Sequence, residues 1–518
     1  MPHTPHGWFD LLVIGSGPAG QKAALCAAKH GKRVAIVDQR CMMGGVCIHT
    51  GTIPSKAIRE AVLHLSGVGH RELYGHDYAV KDRITMEDLL QRAQHVSRSE
   101  AQVIRHQMRR NNIAIMDGLA RFEDPHTILL TNGDDEHHLR AGHILIGCGT
   151  SPARPESVPF TPGLVIDSNE ILKLPELPRE LCVVGGGVIG TEYACMLAAC
   201  GVRVTLVEGK PRLLDFLDEE ISEALQYRLR ELGVRLRLGE KVDRIDIEPV
   251  PGRRHDDPEG TQISAGDERR IAGTGRVRAT LCSGKTIVCD TLLYCIGRQG
   301  ATDSLNLPAA GLEADERGRL AVNESLQTAV PHIYAAGDVI GFPALAATAM
   351  QQGRRAAQHM FAPEELTRTP GGAQEGAAEL FPYGIYTIPE ISTLGQTERQ
   401  LTEASIPYEV GAARYKEIAR GQLMGDTHGL IKLLFHAETH KLLGVHAIGT
   451  GATELIHIAQ VAMAAGLRID YFVDAVFNYP TLAECYKVAA LDGLNRCRVS
   501  AVSEPAERAS RSSRSRAA

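Results

Sequence analysis

Short apolar runs and stretches of small residues alternate along the chain, and one such pattern occurs twice. Residues 11–38 read LLVIGSGPAGQKAALCAAKHGKRVAIVD, and residues 181–208 read LCVVGGGVIGTEYACMLAACGVRVTLVE, at a constant offset of 170 residues. Each copy predicts an apolar strand, a glycine-rich turn, a helix of small residues, a second apolar strand and a terminal acid. Strand, helix and parallel strand make a βαβ unit, so the pattern predicts an α/β protein with two Rossmann-like dinucleotide-binding domains.

The first glycine-rich turn has the spacing of a dinucleotide site, with Gly15, Gly17 and Gly20 opening the predicted helix. These glycines permit a tight turn, a close approach of the pyrophosphate and close packing of helix on strand. The phosphate charge then meets the free N–H groups at the start of the helix. Asp38, at the end of the second strand, can accept hydrogen bonds from ribose hydroxyls.

The second turn carries the same three glycines, at Gly185, Gly187 and Gly190. Its terminal acid is Glu208, and a carboxylate there favours the free 2′-hydroxyl of NAD(H) over the 2′-phosphate of NADP(H). Lys210 and Arg212 lie just beyond and could bind that phosphate, or they could be ordinary solvated cations. The preference between the two nucleotides therefore stays open at this point.

The remaining pattern divides the chain. Residues 84–110 predict a polar-faced helix, 113–148 predict short strands, and a hydrophilic insert at about 249–277 predicts an exposed loop. We expect a first nucleotide domain at 1–165 and 297–361, a second at 166–296, a linker at 362–379, a C-terminal α+β domain at 380–497 and a disordered basic tail at 498–518.

Composition narrows the function. The chain has 518 residues and a formal net charge of −6, so it lacks the basic field that holds nucleic acid. No run reaches the ~18 consecutive apolar residues of a membrane span, and the first ten residues are too polar for a secretory signal. We therefore expect a cytoplasmic protein, in which the 12 cysteines are reduced thiols.

Further motifs follow in a familiar order: the first turn, Pro54-Ser55-Lys56, the second turn, and TAVPHIYAAGD ending at Asp338. This order resembles the pyridine nucleotide-disulfide oxidoreductase family over about residues 8–497. The resemblance implies FAD on the first turn, NAD(H) or NADP(H) on the second, and a dimerisation domain at 380–497. The expected assembly is a homodimer or a larger homo-oligomer.

The resemblance also implies roles for individual residues. Asp338 would bind the ribityl chain of FAD, and the helix that begins near Ala346 would stabilise the reduced flavin through its N-terminal dipole. Lys56 would stand beside flavin N5 with Glu192 as its carboxylate partner, and Tyr193 would cover the nicotinamide face. The remaining residues expected at the cofactors are Cys47, Gly118 and Gly297.

Two family features are missing. Disulfide reductases of the family carry a second cysteine where this chain has Thr52, five residues after Cys47. Their C-terminal histidine is replaced by Tyr479, although the acid Glu484 is kept. A tyrosine with a reference pKa near ~10 is a poor base for making a thiolate at neutral pH. The second cysteine and the histidine that generates its thiolate are therefore both absent from their expected positions, which points to a different reaction.

Few acceptors remain, and the simplest is a second nicotinamide nucleotide. The segments GTIPSKAIREAV, LLDFLDEEIS and FNYPTLAECYKVAALDGLN resemble a branch of the family that transfers hydride between NADPH and NAD⁺ with Si specificity. The resemblance implies a ping-pong mechanism through flavin N5 that needs no protein acid or base. Glu208 would then serve one nucleotide and Lys210 or Arg212 the other.

Three alternatives stay open. The enzyme could be an NAD(P)H-dependent quinone or dye reductase, because an apolar acceptor pocket leaves no sequence signal. It could be an atypical thiol-disulfide reductase, similar to a dihydrolipoamide dehydrogenase, that uses Cys41 or Cys485. It could also be a flavin-loaded binding protein with little turnover, although the two complete turns argue against this.

Overall fold

The computed structural model describes residues 8–39, 42–249, 275–366 and 380–497. Within these residues, helices and strands alternate as the sequence predicts, and the α/β class is confirmed. The predicted basic tail lies outside the described residues, as do the centre of the insert and most of the linker.

The first part of the chain forms a mixed sheet covered by helices. Its elements are β1 (Trp8–Ile14), α1 (Pro18–Lys29), β2 (Val34–Asp38), α2 (Gly45–His49), α3 (Thr52–Ser66), α4 (Arg71–Tyr74), α5 (Met86–Arg110), β3 (Ala114–Asp117), β4 (Leu119–Asp124), β5 (Thr127–Asn132), β6 (Asp135–Ile146) and β7 (Thr150–Pro152). The strand order is β3-β2-β1-β6-β5-β4, and β1 is parallel to both β2 and β6. The long helix predicted at 84–110 is α5, whose start is fixed by a capping box of Thr85 and Asp88.

The second part of the chain repeats this architecture. Its elements are β8 (Val165–Ile166), β9 (Glu180–Val184), α6 (Val188–Ala199), β10 (Arg203–Glu208), α7 (Glu219–Glu231), β11 (Arg235–Leu238), β12 (Val242–Pro249), β13 (Gly275–Leu281), β14 (Thr286–Cys289) and β15 (Thr291–Tyr294). A parallel sheet runs β11-β10-β9-β15-β8, and β12-β13-β14 form a separate antiparallel sheet.

The structure shortens the predicted insert. Strand β12 extends to Pro249 and β13 begins at Gly275, so both ends of the expected loop at 249–277 belong to strands. Backbone pairing across these two strands overrides the hydrophilic composition that suggested a loop. Residues 250–274 lie outside the described residues.

After β15 the chain returns to the first sheet. Strand β16 (Arg298–Gly300) pairs with β7, β17 (Ile333–Ala335) pairs with β6, and α8 (Ala346–Phe361) packs on α1. The contact is so close that a Cβ on Gly353 would overlap with the backbone of Ala19. Helix α9 (Pro363–Leu366) occupies the start of the predicted linker, and the bounds of that linker stay a prediction.

The C-terminal part is an antiparallel sheet with helices. Its elements are β18 (Tyr383–Ile385), β19 (Ile391–Gly395), α10 (Glu398–Glu403), β20 (Tyr408–Arg414), α11 (Ala419–Met424), β21 (Leu430–His436), β22 (Leu442–Ile448), α12 (Ala452–Ala464), α13 (Asp470–Asp474) and α14 (484–497). The strand order is β18-β19-β22-β21-β20. Among the described residues, no helix combines the length and the apolar character that crossing a membrane requires.

Candidate dinucleotide sites and redox centre

The two glycine-rich turns share one hydrogen-bond pattern. In the first, the backbone N–H of Ser16 donates to Asp38 Oδ2 at 2.8 Å, and in the second that of Gly186 donates to Glu208 Oε2 at 2.6 Å. Both donors follow the first glycine of the turn, and both acceptors end the second strand. The internal repeat therefore fixes each acid at the mouth of its turn, where a ribose would lie.

The glycines have the backbone shapes that a dinucleotide turn requires. The first glycine of each copy has a positive φ, +100° at Gly15 and +110° at Gly185. A Cβ on the third glycine of either copy would overlap with the carbonyl oxygen of the first. At the second glycine, Gly17 or Gly187, a Cβ would meet no atom within 4 Å. That open space is where a pyrophosphate can approach the backbone, so both turns fit a dinucleotide.

The first turn opens into a long cavity of about 1170 Å³, counting its solvent-filled mouth. The predicted cofactor residues that line it are Gly15, Gly17, Asp38, Cys47, Gly118, Asp338 and Ala346. Gly20 packs behind the turn against Gly15 and does not line the cavity. One continuous cavity thus joins Asp38 to Asp338, 300 positions apart in the chain, which suits one elongated ligand better than two small ones.

Asp38 is tightly held inside this cavity. The Ser16 hydroxyl donates to its carboxylate and accepts a hydrogen bond from the Gly44 N–H at 2.9 Å. Burial raises the pKa of Asp38, and the hydrogen bonds from Ser16 offset this only in part. A half-buried carboxylate of this kind gains from further donors, such as two ribose hydroxyls.

The three parts of the chain meet at a buried ion pair. Lys56 lies on α3 and Glu192 on α6. Lys56 Nζ donates to Glu192 Oε1 at 3.0 Å and to Glu192 Oε2 at 2.8 Å. Glu192 Oε1 also accepts from the N–H of Tyr386 at 2.8 Å, and Lys56 Nζ lies 4.8 Å from the centre of the Tyr386 ring. The Glu192 side chain is 5% exposed and that of Lys56 is 25% exposed. The pairing of Lys56 with Glu192 is confirmed, while their roles in catalysis stay predictions.

Tyr193 follows Glu192 on α6 and is only 4% exposed. Burial, with a smaller contribution from Glu192, raises its pKa. The ring packs in the core that joins the two nucleotide domains. Its expected place over the nicotinamide face of the flavin stays a prediction.

Thr52 lies beside Cys47, where a disulfide reductase of the family has its second cysteine. Both side chains line the cavity, and a hydrogen bond links the Thr52 hydroxyl to the Cys47 thiol. Burial raises the pKa of Cys47 in spite of that bond. A thiol disfavoured as thiolate and paired with a hydroxyl is poorly suited to disulfide exchange.

The C-terminal motif is arranged differently from an acid–base pair. Tyr479 is 73% exposed, and within the described residues Glu484 Oε2 is buried without a hydrogen-bond partner. Cys485 is fully buried, and burial raises its pKa to about 12, so it is no candidate for a reactive thiol. Cys41, the other cysteine considered, lies outside the described residues.

The second turn is flanked by charged residues. Lys210 Nζ lies 2.7 Å from Asp215 Oδ2, and an Arg212 guanidinium nitrogen lies 2.6 Å from Glu219 Oε1. Gly297, with φ of +83°, lies in the loop that follows β15. The backbone of Cys295 in that loop passes so close to the turn that a Cβ on Gly185 would lie 3.0 Å from its carbonyl oxygen. The contribution of Gly297 to nucleotide binding stays a prediction.

Sequence reasoning missed Arg298. Its guanidinium donates to the hydroxyl and the carbonyl of Thr150, both at 2.7 Å, and the Thr150 hydroxyl lies 3.4 Å from Asp338 Oδ2. Burial lowers the pKa of Arg298, and Asp338 opposes the shift. The available signal in the sequence was the similar segments that follow β6 and β15, Gly-Cys-Gly-Thr after β6 and Cys-Ile-Gly-Arg after β15.

A fold with two dinucleotide turns and a lysine–glutamate pair between them defines a two-nucleotide oxidoreductase. Residues 9–353 match the family model described as pyridine nucleotide-disulphide oxidoreductase, and residues 381–490 match its dimerisation domain. The chain therefore belongs to the pyridine nucleotide-disulphide oxidoreductase family. Members of this family use FAD, and the dimerisation domain indicates a homo-oligomer.

Curated relatives cover nearly the whole chain. A soluble pyridine nucleotide transhydrogenase from Mycobacterium tuberculosis is 51% identical over 492 residues, covering 95% of this chain and 98% of the relative. The protein of that name from Escherichia coli is 43% identical over 500 residues, covering 96% and 100%. Among solved structures, the HOCl-induced flavoprotein disulfide reductase RclA from Escherichia coli is 27% identical, with a TM-score of 0.78 and coverage of 94% and 99%.

Proposed function

We propose that this chain is an FAD-dependent transhydrogenase that passes hydride between NADPH and NAD⁺ by a ping-pong mechanism. The observation that carries the proposal is the arrangement of the redox centre: Lys56 and Glu192 join helices of the two nucleotide domains, and Thr52 lies against Cys47 where a disulfide reductase would have a second cysteine. The relatives named soluble pyridine nucleotide transhydrogenase, at 43–51% identity, support the same reaction.

The first turn and its cavity would hold FAD. Gly15 and Gly17 would receive the pyrophosphate, Asp38 the adenosine ribose, and Asp338 the ribityl chain. When bound, FAD supplies the hydride chemistry, because it can accept a hydride from one nicotinamide and give it to another. Ala346 begins α8, whose free N–H groups would stabilise negative charge on the reduced cofactor.

The ion pair would organise the reacting end of the site. Two hydrogen bonds from Lys56 and one from the Tyr386 N–H fix the carboxylate of Glu192, so the ammonium group is fixed as well. A fixed positive charge stabilises an electron-rich partner without reorganisation during the reaction. Tyr193, the next residue on α6, would cover the nicotinamide side and exclude water.

No proton relay is needed in this reaction. Hydride transfer between nucleotides forms and breaks a carbon–hydrogen bond, so the chain has to orient its ligands and exclude other acceptors. The high pKa of Cys47 and the exposed position of Tyr479 agree with a reaction that uses neither as a base. We propose that NAD(H) and NADP(H) use the second turn in alternation.

We further propose a homodimer or larger homo-oligomer in the cytoplasm, joined through the C-terminal domain. That domain exposes large side chains that water disfavours, including Val461 at 69% and Val476 at 95%. Tyr479 lies on the same connecting segment as Val476. Burial of these groups against a second copy would remove an apolar surface from water.

The test is nucleotide-to-nucleotide transfer in the absence of oxygen. NADPH and a thio-analogue of NAD⁺ are mixed with the purified flavoprotein, both are varied, and formation of the reduced thio-nucleotide is followed. Turnover with parallel double-reciprocal lines is the expected result. Flavin bleaching without transfer would contradict the proposal and leave quinones as the acceptors to examine. Two additional titratable thiols per flavin after NADPH reduction would instead indicate disulfide chemistry.

A further inference from the structure

The loop over residues 209–218, between β10 and α7, lies directly on the second turn. Its Lys210 N–H donates to Glu208 Oε1 at 2.8 Å, and its Leu214 N–H donates to the Gly186 carbonyl at 3.4 Å. Leu213 fills the space beside Gly186, where a Cβ would overlap with its side chain. The loop therefore begins at the acid proposed to face the ribose and folds back across the turn.

Both cations of this loop already have carboxylate partners. Lys210 Nζ lies 2.7 Å from Asp215 Oδ2, and Arg212 lies 2.6 Å from Glu219 Oε1. Carboxylate and phosphate oxygens are recognised by the same ammonium and guanidinium donors. A ligand phosphate that binds these two cations therefore competes with two acids of the chain itself.

We propose that Asp215 and Glu219 are specificity-determining residues, which compete with the 2′-phosphate of NADP(H) for Lys210 and Arg212. NAD(H), which has no 2′-phosphate, binds without breaking either ion pair. This inference rests on the proposed function, because it requires both nucleotides to use the second turn. It adds to that function a built-in penalty on one of the two substrates.

The geometry provides for the displaced acids. Glu219 Oε1 lies 3.8 Å from one guanidinium nitrogen of Arg399. The other terminal guanidinium nitrogen of Arg399 donates to the Asp215 carbonyl at 2.8 Å. Glu219 thus keeps a cationic partner after Arg212 leaves it, and Asp215 lies near enough to the surface to be hydrated. The exchange changes partners of side chains and leaves the backbone of the loop in place.

The ends of the loop are held independently of these two pairs. Asp218, at the start of α7, accepts a hydrogen bond from the buried Lys432 at 2.8 Å, and the Ser222 hydroxyl donates to the Leu213 carbonyl at 2.6 Å. Glu208 is held by backbone N–H groups and by no cation of the loop. Substitution of Asp215 and Glu219 should therefore change recognition of the 2′-phosphate without disturbing the ribose acid. Specificity of this kind is a difference between two affinities.

The test uses two probes that differ only by a 2′-phosphate, adenosine 2′,5′-bisphosphate and 5′-AMP. Their dissociation constants are measured by calorimetry on the flavin-loaded protein at low ionic strength. The double variant Asp215→Asn/Glu219→Gln should bind the bisphosphate about threefold to tenfold more tightly, the effect of removing two exposed ion pairs. Binding of 5′-AMP should change by less than about twofold.

Glu223→Gln is the matched control, because it removes one exposed acid from α7, the helix that carries Glu219. It should leave both dissociation constants unchanged. No gain for the bisphosphate, an equal gain for both probes, or the same gain in the control would each overturn the proposal. If the double variant does not fold, the single variants Asp215→Asn and Glu219→Gln are measured, each with an expected gain of about twofold. Transhydrogenation of the unaltered enzyme is assayed separately, so failure of that activity is distinguishable from failure of the binding preference.

Discussion

The two nucleotide turns have the same backbone and different surroundings. Asp38 lies in a long cavity, where the Ser16 hydroxyl donates to it and burial raises its pKa. Glu208 occupies the equivalent position at the start of a loop with exposed charges, and among the described residues it accepts hydrogen bonds from the backbone N–H groups of Gly186 and Lys210. A deep site suits a cofactor that stays bound, and an open site suits nucleotides that must enter and leave within each turnover.

The difference originates outside the repeated segments. After the second domain the chain returns to place β17, Asp338 and α8 over the first turn, so the cavity is closed by residues about 300 positions downstream. The second turn is covered by the loop over residues 209–218, whose side-chain ion pairs are at the surface. One βαβ unit can therefore serve a resident cofactor or an exchangeable substrate, depending on what the rest of the chain packs against it.

The largest effect is expected when the same substitution is made in each of the two glycine-rich turns, because it should affect flavin binding in one and reduction by NADPH in the other. Gly17→Val and Gly187→Val both add side chains to open space, and both positions have extended backbone that any residue adopts. Because the added groups fill the proposed pyrophosphate positions, Gly17→Val should lower FAD affinity about 10²-fold and yield colourless protein. Gly187→Val should keep its flavin and lose reduction by NADPH. Absorbance of the purified proteins and anaerobic bleaching measure both effects, and equal flavin loss in the two variants would refute the assignment of the turns.

A smaller effect is expected at the ion pair between the two nucleotide domains. Lys56→Met removes the charge that organises the redox centre, and within the described residues the buried Glu192 carboxylate keeps the Tyr386 N–H as its hydrogen-bond donor. The rate of flavin bleaching by NADPH, followed by stopped flow, should fall about 10²-fold with flavin still bound. Lys81→Met is the control, since its ion pair with Asp88 lies at the surface of the same domain. That variant should keep its rate within about twofold, and a similar loss in both would indicate a general effect of lost charge.

Glu208→Gln should then shift the balance between the nucleotides. The amide keeps one hydrogen bond to the turn but loses the negative charge that favours ribose hydroxyls and repels a 2′-phosphate. We expect KM for NADH to rise about fivefold to tenfold and KM for NADPH to fall or stay constant. Steady-state turnover, measured with each nucleotide in turn as the hydride donor, gives both KM values. Equal changes for the two nucleotides would show that Glu208 fixes the turn without reading the ribose.

Much of this arrangement could be predicted from local pattern. The glycine spacing, the acids at the strand ends and α5 all depend on neighbours within one βαβ unit or one helix, which sequence reports directly. The Lys56–Glu192 pair spans 136 positions and was expected only because the chain resembles a family. Arg298 and the loop pairs of Asp215 and Glu219 were missed, because a charged residue near a turn reads as solvated until its partner is located.

The extension of β12 and β13 into the expected loop has a similar explanation. Pro249 and Gly275 are typical loop residues, and only the pairing between the two strands places them in a sheet. Helix α9 was hidden in the same way, since Pro363 reads as the start of a linker but also suits the first turn of a helix. Whether such residues lie in a loop, a strand or a helix depends on non-local pairing and on their position within the element, and neither can be derived from composition.

The smallest expected effect is a pH dependence that links the second turn to the C-terminal domain. His446 is fully buried between Thr393, 2.5 Å from Nδ1, and the Gln396 carbonyl, 2.9 Å from Nε2. Burial lowers its pKa, with opposition from Asp218, so the folded protein holds a neutral imidazole. The unfolded chain binds a proton below its ordinary pKa of ~6.5, and folding stability is therefore lost as pH falls through that value.

The loss should approach about 1.4 kcal/mol per pH unit below ~6.5, until the folded imidazole itself is protonated. Asp218 does not contribute in this window: burial alone would raise its pKa, but the hydrogen bond from Lys432 and the charge of its ammonium group lower it, so its stabilisation is lost only at more acidic pH. His143, on β6, also has a pKa lowered by burial, and it provides the matched comparison in the first domain.

Thermal midpoints between pH 7.5 and 5, a range of about one unit or more on each side of ~6.5, should fall less steeply in His446→Gln and in His143→Gln than in the unaltered protein. Only His446→Gln should also change how NADPH binding depends on pH, because His446 neighbours the Asp218–Lys432 contact that anchors the loop over residues 209–218. An equal effect of both variants on NADPH binding would show that this anchor is not specific to the second turn.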